Sequence, residues 1–286
     1  MKERDVNEQT GQPAPRRWDE TSAAAWDKWF HIIEGGAQGL SDRMVELAAI
    51  GPGAQVLDVA SGLGEPAVAA ARRAGPSGHV LATDLSEDML GYGRKRAEKL
   101  GLDNIEFRRM DAQELEVPEA AFDAVLCRWG VMFLPDLDAA LAGFRRCLKP
   151  GGRLVAAVWG PAERAPGVGL GARVVHAHLG LAPPDEGAGT PFACSDTAAF
   201  ERRVAAAGFE DVRGEWFTVP FTFESAEQST RFRRERSKPL IDRIAGFPLA
   251  RREAAWAALT EATRAFETPE GAVRLDNAAY CVSARA

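Results

Sequence analysis

The chain has 286 residues, a net charge of −6 and a hydrophobic fraction of 46%. This length accommodates one large domain, or one domain with a cap, and the apolar fraction is ample for a packed core. The negative balance argues against nucleic acid as the main partner. Because no apolar run is long enough for a bilayer and no apolar signal segment follows Met1, we expect a soluble, cytoplasmic protein without integral membrane contact.

The metal-ligating residue types are scattered along the sequence. The four cysteines are Cys127, Cys147, Cys194 and Cys281. They form no closely spaced pair, so we expect free thiols rather than a disulfide framework or a zinc site. His176 and His178 are two residues apart, which places them on different faces of a helix. We therefore predict no metal site.

The N-terminal part divides into a polar segment and an aromatic one. Residues 1–17 are polar and contain Gly and Pro, which predicts a flexible tail. Residues 18–50 carry large apolar side chains at helical spacing: Trp26, Trp29, Phe30 and Ile33. This face either packs on the domain or forms a lid that excludes water from a ligand. A second helix is predicted over 41–50, capped by Ser41.

The stretch from Gln55 to Ala67 organises the rest of the chain. A short apolar run with one acid, Asp58, predicts a buried parallel strand, and an Ala-rich helix is predicted from Ala67 to Ala74. Between them, Gly62 and Gly64 allow a ligand to approach the backbone. The N–H groups that start the helix would favour an anionic group.

Two cofactor types fit this turn. The spacing of Gly62, Gly64 and Ala67 also matches the dinucleotide-binding fingerprint of dehydrogenases. Glu65 would place a carboxylate at the helix start, where it would repel a pyrophosphate. The turn therefore favours a cofactor without phosphates.

Two further acids follow predicted strands. Asp84 ends a strand that begins at His79, and it lies 26 residues after Asp58, near the spacing of a ribose-binding acid. A carboxylate accepts hydrogen bonds from both ribose hydroxyls, whereas Ser86 is well placed to cap the next helix. Asp111 follows a short strand at 105–107, where it is either a ligand residue or an exposed turn acid.

The fourth predicted strand, 122–126, leads directly into Cys127, Arg128 and Trp129. Ligands bind at the carboxyl ends of strands in open α/β sheets. Arg128 either pairs with an acid of the fold or holds an anionic substrate group. Trp129 either walls the substrate pocket or belongs to the core. Cys127 is not favoured as a nucleophile, because no His base is adjacent.

The remaining chain supplies three more predicted strands, at 153–159, 209–219 and 278–284. Helices are predicted at 172–179 and 195–208, and a helical, basic region at 220–267. The basic cluster within 231–238 is either a solvated face or a surface that attracts an acidic substrate or an anionic membrane.

Three motifs together resemble class I S-adenosylmethionine-dependent methyltransferases. VLDVASGLG at 56–64 resembles the first motif of that family, with Ala60 where a third glycine is usual. DLSEDML at 84–90 resembles the second motif. CRWGVMFLPD at 127–136 resembles the quinone-methylase-like branch, and the match runs from about Leu47 to Trp159. The resemblance implies an α/β, doubly wound, mostly parallel seven-stranded sheet with an antiparallel final strand and a small helical cap.

The resemblance also implies the cofactor and its contacts. The cofactor would be S-adenosylmethionine, bound in a core of residues 51–160, and residues 161–286 would supply the remaining strands and cap insertions. Carried over by motif position, the cofactor-binding residues are Ala60, Ser61, Gly62, Gly64, Asp84, Leu85, Met89, Asp111, Ala112 and Cys127. Candidates for the substrate pocket and lid are Trp26, Trp29, Trp129 and Met132.

The expected activity is methyl transfer to an O, N or C nucleophile of a small, partly apolar molecule, such as a quinol, a phenol or an aromatic secondary metabolite. The alternatives are a cofactor-binding protein without methyl transfer, acting as a cyclase or regulatory partner, and an NAD-dependent dehydrogenase. No spacing identifies a catalytic residue, and the candidates are His31, Arg128, His176 and His178. The partner would be a small molecule and not nucleic acid, with a homodimer left open.

Overall fold

One mixed sheet forms the centre of the molecule. The computed structural model describes residues 20–286, so the predicted tail at 1–17 and Trp18 lie outside the described residues. The strands are β1 (Gln55–Val59), β2 (His79–Asp84), β3 (Ile105–Arg109), β4 (Phe122–Arg128), β5 (Leu148–Trp159), β6 (Glu210–Phe223) and β7 (Val273–Arg285). Their order is β3-β2-β1-β4-β5-β7-β6, and β7 runs antiparallel to both of its neighbours. The predicted seven-stranded, doubly wound fold is confirmed.

Helices connect the strands and form the cap. They are α1 (Glu20–Lys28), α2 (Phe30–Leu47), α3 (Ala67–Ala74), α4 (Glu87–Lys99), α5 (Leu137–Cys147), α6 (Pro166–Leu179), α7 (Thr197–Ala206), α8 (Ala226–Arg236), α9 (Lys238–Ile244) and α10 (Leu249–Thr263). The main core lies around the sheet, and a second apolar cluster joins α6, α9 and α10. The cap therefore has a small core of its own.

The strand predictions were accurate in the parallel half of the sheet and short in the antiparallel half. α3 has the predicted bounds, whereas β5 begins at Leu148, five residues before the predicted start at 153. β6 continues to Phe223, beyond the predicted end at 219, and β7 begins at Val273, before the predicted start at 278. The two strands pair with each other along these added segments, where Phe221, Phe223 and Val273 are buried, whereas the first half of β6 is mostly exposed.

The predicted separate helix at 41–50 is wrong, because α2 runs without a break from Phe30 to Leu47. Its glycines do not end it. A Cβ at Gly36 would lie 1.9 Å from the carbonyl oxygen of Pro220 in β6, so glycine lets the helix lie directly on the strand. Ser41 is not a cap but a buried residue in the middle of the helix.

The basic stretch of α8 is largely used inside the protein. Arg233 is buried and donates to the Ser229 side chain and to the carbonyl oxygen of Pro166 in α6. Burial lowers the pKa of Arg233 to about 10. Arg234 forms a two-point ion pair with Glu253 of α10. The stretch therefore joins three cap helices.

All four cysteines are buried and unpaired in disulfides. Burial raises the pKa of Cys127 and Cys281 to about 12, and that of Cys147 and Cys194 to about 11. Within residues 20–286, no three His, Cys, Asp or Glu side chains gather as a metal site would require. In the same range, every helix is too short or too polar to cross a bilayer.

Adjacent glycines of α2 provide a matched test of the contact between α2 and β6. Gly36→Ala should lower the free energy of unfolding by roughly 1–3 kcal/mol, because the new methyl group collides with Pro220. Gly35→Ala meets no atom within 4 Å and should raise it by about 0.5–1 kcal/mol through helix propensity. Urea unfolding of both variants measures the difference, and equal effects would contradict the close contact.

Candidate functional site at the carboxyl edge of the sheet

The turn after β1 and the acid that ends β2 are joined by hydrogen bonds. Gly62 N donates to Asp84 Oδ2 at 2.9 Å, and Ser86 N donates to Asp84 Oδ1 at 2.9 Å. Ser86 also caps α4, as predicted, by accepting from Met89 N. Burial raises the pKa of the Asp84 carboxyl above its usual range, although both backbone donors oppose that shift. The first and second motifs therefore form one structural unit.

The start of α3 differs from the prediction of free N–H groups that await an anionic ligand. Ala67 N donates to Asp58 Oδ2 at 2.9 Å. Glu65 lies buried at the turn, where Arg96 donates to its carboxylate at 2.8 Å. Glu65 is therefore neutralised by its partner and does not act as the predicted repelling charge. The chain's own carboxylate at the helix N-terminus nevertheless disfavours a pyrophosphate there.

The turn after β1 combines open space at Gly62 with buried polar atoms that lack hydrogen-bond partners. A Cβ at Gly62 would meet no atom within 4 Å. Asp58 Oδ1 and Ser61 Oγ are buried, and neither has a hydrogen-bond partner among residues 20–286. Burial raises the pKa of Asp58 well above its usual range. Unpaired buried polar atoms are unfavourable unless a ligand or water satisfies them, so the residues present fit a cofactor with polar donors.

The second acid lies at the end of the neighbouring strand, β3. Asp111 Oδ1 accepts from Gln113 N at 2.9 Å, and Gln113 Oε1 accepts from Asp136 N at 2.8 Å. Gln113 therefore links the Asp111 turn to the segment after β4. The sequence analysis did not predict a role for Gln113. Leu85 is 48% exposed beside this edge, whereas Met89 and Ala112 are buried.

Arg128 lies in a buried ion pair and not at a substrate position. Its guanidinium donates to both oxygens of Glu34 in α2, and to Ser41 Oγ at 2.7 Å. The nearby Glu34 carboxylate raises the pKa of Arg128 against the effect of burial. Of the two roles left open for Arg128, the structure has the pairing with an acid. Glu34 itself was missed, although it is the one acid among the apolar residues of that helix face.

Trp129 has an uncommon backbone conformation. Its φ is +60°, and a left-handed conformation of a bulky residue costs roughly 1–3 kcal/mol. Its ring stacks on Trp159 with centroids 4.1 Å apart. The guanidinium carbon of Arg128 lies 4.8 Å from the centroid of the Trp129 ring. Met132 is buried in the short 3₁₀ turn that follows.

Ala60 and Gly130 hold the turn after β1 against the segment after β4. Ala60 has φ +56°, so the family's usual glycine at this position would be less strained. A Cβ at Gly130 would lie 2.5 Å from Ala60 Cβ and 2.7 Å from Cys127 Sγ. The two segments are therefore in direct contact, with Trp129 immediately beside them. The Cys127 thiol is fully buried, and burial raises its pKa, which disfavours it as a nucleophile.

Helix α1 lies over the turn. Ala23 forms a small buried cluster with Leu63 and Met89. Lys28 pairs with Glu235 of α8 at 2.6 Å, and Trp29 Nε1 donates to the same carboxylate at 2.8 Å. The guanidinium of Arg236 lies 3.8 Å from the ring centroid of Trp26.

The histidine candidates are not gathered at this edge. His31 is exposed and stacks on Trp29 at 6.2 Å. His176 and His178 lie in the last turn of α6, within the cap, where His176 Nδ1 is 2.7 Å from the carbonyl oxygen of Ala182.

Comparison with known proteins identifies the central unit. A family model described as a methyltransferase domain matches residues 56–152. Residues 56–152 of the chain therefore resemble a methyltransferase domain.

Curated relatives share that domain. The ubiquinone/menaquinone biosynthesis C-methyltransferase UbiE of Teredinibacter turnerae is 38% identical over 135 residues, which are 46% of this chain and 54% of that protein. UbiE of Pseudomonas putida is 38% identical over the same length and is covered to 53%. The chain thus spans about half the length of the curated relatives it matches.

Solved structures share the fold. A SAM-dependent methyltransferase from Aquifex aeolicus superposes with a TM-score of 0.53 at 16% identity, covering 94% of this chain and 99% of that one. The [4+2]-cyclase SpnF has a TM-score of 0.53 at 23% identity, with 86% and 81% covered. At these identities the likeness extends to the fold alone.

The buried pair of Glu34 and Arg128 should be strongly stabilising relative to its broken form. Glu34→Gln should lower the free energy of unfolding by roughly 3 kcal/mol, because a buried guanidinium loses its main counter-charge. The control Glu46→Gln removes the exposed partner of Arg43 on the same helix and should change it by about 0.5 kcal/mol or less. Denaturant titration compares them, and similar values would count against a structural role for Arg128.

Proposed function

We propose that the protein transfers the methyl group of S-adenosylmethionine to a small, partly apolar acceptor, a quinol or phenol being favoured. The observation that carries the proposal is the hydrogen bond from Gly62 N to Asp84 Oδ2. It fixes the small-residue turn beside an acid that can accept both ribose hydroxyls. The start of α3, where a dinucleotide would place its pyrophosphate, is closed by Asp58.

The cofactor contacts we propose follow from this arrangement. Asp84 would accept from the ribose hydroxyls, and Asp111 from the adenine amine, with the Ala112 N–H facing the ring. Leu85 and Met89 would pack beside the adenine. Gly62, Gly64, Ala60 and Ser61 would admit the methionine part, whose ammonium group suits the unpaired Asp58 Oδ1. Cys127 would contribute its backbone.

The bound cofactor supplies a sulfonium methyl group that is already electrophilic, so the protein's task is mainly to position the acceptor. Orientation of this kind is worth roughly 7–11 kcal/mol. An acceptor that reaches the site as a phenolate or enolate needs no general base. Two of the candidate histidines, His176 and His178, lie in the cap helix α6.

Aromatic contacts support a planar, apolar acceptor. The Trp129 ring stacks on Trp159, and the Trp159 ring meets Phe221 edge-on with centroids 6.0 Å apart. They continue through Phe232 to Trp29 at the junction of α1 and α2. Aromatic rings of this kind favour stacked or edge-on partners. The UbiE relatives, named as quinone-biosynthesis C-methyltransferases, agree with this choice.

Turnover assays test the proposal. The full chain is incubated with S-adenosylmethionine and, separately, quinols, phenols and amines, and both S-adenosylhomocysteine and methylated product are measured by mass spectrometry. We expect turnover with a quinol or phenol. Activity only on protein or nucleic acid would remove the proposal, and cofactor binding without turnover would favour a binding protein or cyclase.

Asp84 should control cofactor affinity and its pH dependence. Asp84→Asn should weaken S-adenosylhomocysteine binding by about 10- to 100-fold, the usual effect of losing a charged acceptor. In the wild type, affinity should fall as the pH drops through the Asp84 pKa, and it should begin to fall at a higher pH than for an ordinary Asp because that pKa is raised.

Calorimetry at several pH values measures these effects. The exposed neighbour Asp88→Asn is the control and should leave both affinity and pH profile unchanged. The affinity of the Asp84→Asn variant for S-adenosylhomocysteine should change less with pH in the acid range than that of the wild type. Tight binding of NAD by the wild type, with none of S-adenosylhomocysteine, would reverse the choice of cofactor.

A further inference from the structure

Trp129 has a conformation that packing alone does not explain. Its φ of +60° lies in the region that favours glycine. Trp129 N donates to the carbonyl oxygen of Ala157 at 2.8 Å, so the strained backbone is anchored and not loose. Strain of this kind persists where the surrounding structure enforces it, and it clusters at functional sites.

The indole nitrogen of Trp129 adds a second, independent observation. Trp129 Nε1 is shielded from solvent, and no described residue accepts its hydrogen. A buried indole N–H usually has a partner. A phenylalanine would supply the same stacking on Trp159 without burying an unsatisfied donor. The nitrogen is therefore unexplained by the fold.

The position of Trp129 shows which kind of ligand could satisfy that donor. Gly130, the next residue, lies against Ala60 of the cofactor turn. Trp129 also belongs to the aromatic series that continues through Trp159 and Phe221. A ligand that reaches the Trp129 side chain is thus near both the cofactor turn and these aromatic rings.

We propose that the Trp129 indole N–H donates a hydrogen bond to a ring oxygen of the methyl acceptor, and so selects planar rings that carry an oxygen. This inference rests on the proposed function. The acceptor class is a quinol or phenol, whose oxygen would be held by Trp129 while the ring packs against the neighbouring aromatic side chains. Trp129 is then a specificity residue that touches substrate.

Indole NMR signals provide a direct test on the full chain. The protein has seven tryptophans, whose ¹⁵N–¹H indole signals are recorded with S-adenosylhomocysteine alone, then with added 1,4-naphthoquinone or naphthalene. Trp129→Phe identifies the signal of Trp129, and contacts with Trp159 identify it again should the variant not fold. We expect a downfield shift of the Trp129 proton with naphthoquinone only.

Binding measurements complete the test. Trp129→Phe should weaken naphthoquinone binding by about tenfold while naphthalene and S-adenosylhomocysteine change by about twofold or less. The control Trp216→Phe removes a 43% exposed indole on β6 and should change none of the three.

Three results would overturn the inference. The Trp129 signal could remain unmoved by naphthoquinone, or move equally with naphthalene, either of which excludes the hydrogen bond. It could move fully with S-adenosylhomocysteine alone, which would assign the donor to the cofactor's carboxylate. Failure of the wild type to bind S-adenosylhomocysteine would remove the proposed function as well, and so differs from these three results.

Discussion

The N-terminus of α3 is closed by a carboxylate that belongs to the chain. Ala67 N donates to Asp58, and burial raises the pKa of that carboxyl well above its usual range. Helix N-termini in related sheets attract phosphate groups because their N–H groups are unsatisfied. Here Asp58 of the chain itself accepts from the first N–H group of α3. What remains at this edge of the sheet is the open space at Gly62 and the acids that follow β2 and β3, Asp84 and Asp111. This one constraint disfavours a cofactor that would place a pyrophosphate at the start of α3.

A second set of buried charges joins distant parts of the chain beneath the same edge. Arg128 at the end of β4 pairs with Glu34 of α2, and Arg96 of α4 pairs with Glu65 of the turn. Removing one partner of such a pair would leave an uncompensated buried charge, so each pair holds its two elements together. Helix α2 is thereby fixed to the sheet at both Arg128 and Pro220. Of the predicted lid at 18–50, only α1 lies over the turn, and α2 is part of the framework.

The parallel half of the fold could be predicted from sequence because its signals are local. Buried strands such as β1 give short apolar runs, and the Gly62 turn and Ser86 cap have characteristic residue types. The long strands β6 and β7 were predicted too short, although their outer parts place Phe221 and Phe223, and Val273 and Leu275, alternately in the core. That alternation is a local strand signal, so the missed bounds lie in the reading of the sequence and not in its physics. The second helix predicted at Ser41 was wrong, because the burial of Ser41 and the contact of Gly36 with Pro220 depend on tertiary packing.

At the site, the acids were predictable and their partners were not. Asp84 and Asp111 occupy positions that the sheet topology brings to one edge, so spacing located them. The contacts of Arg128 with Glu34 and of Gln113 with Asp136 join residues far apart in sequence. Nothing in local sequence distinguishes such pairs from surface charges. The left-handed backbone of Trp129 was equally invisible, because a bulky residue rarely adopts that conformation and so gives no signal of it in the sequence.

The four buried thiols have a practical consequence. Each one has a pKa of about 11 or 12, so thiolate is scarce in the native state at neutral pH, and each sulfur is covered by core side chains. Alkylating reagents require an accessible thiolate. Because Cys127, Cys147, Cys194 and Cys281 sit on different elements, mass-resolved labelling of the unaltered chain reports separately on how often each region opens.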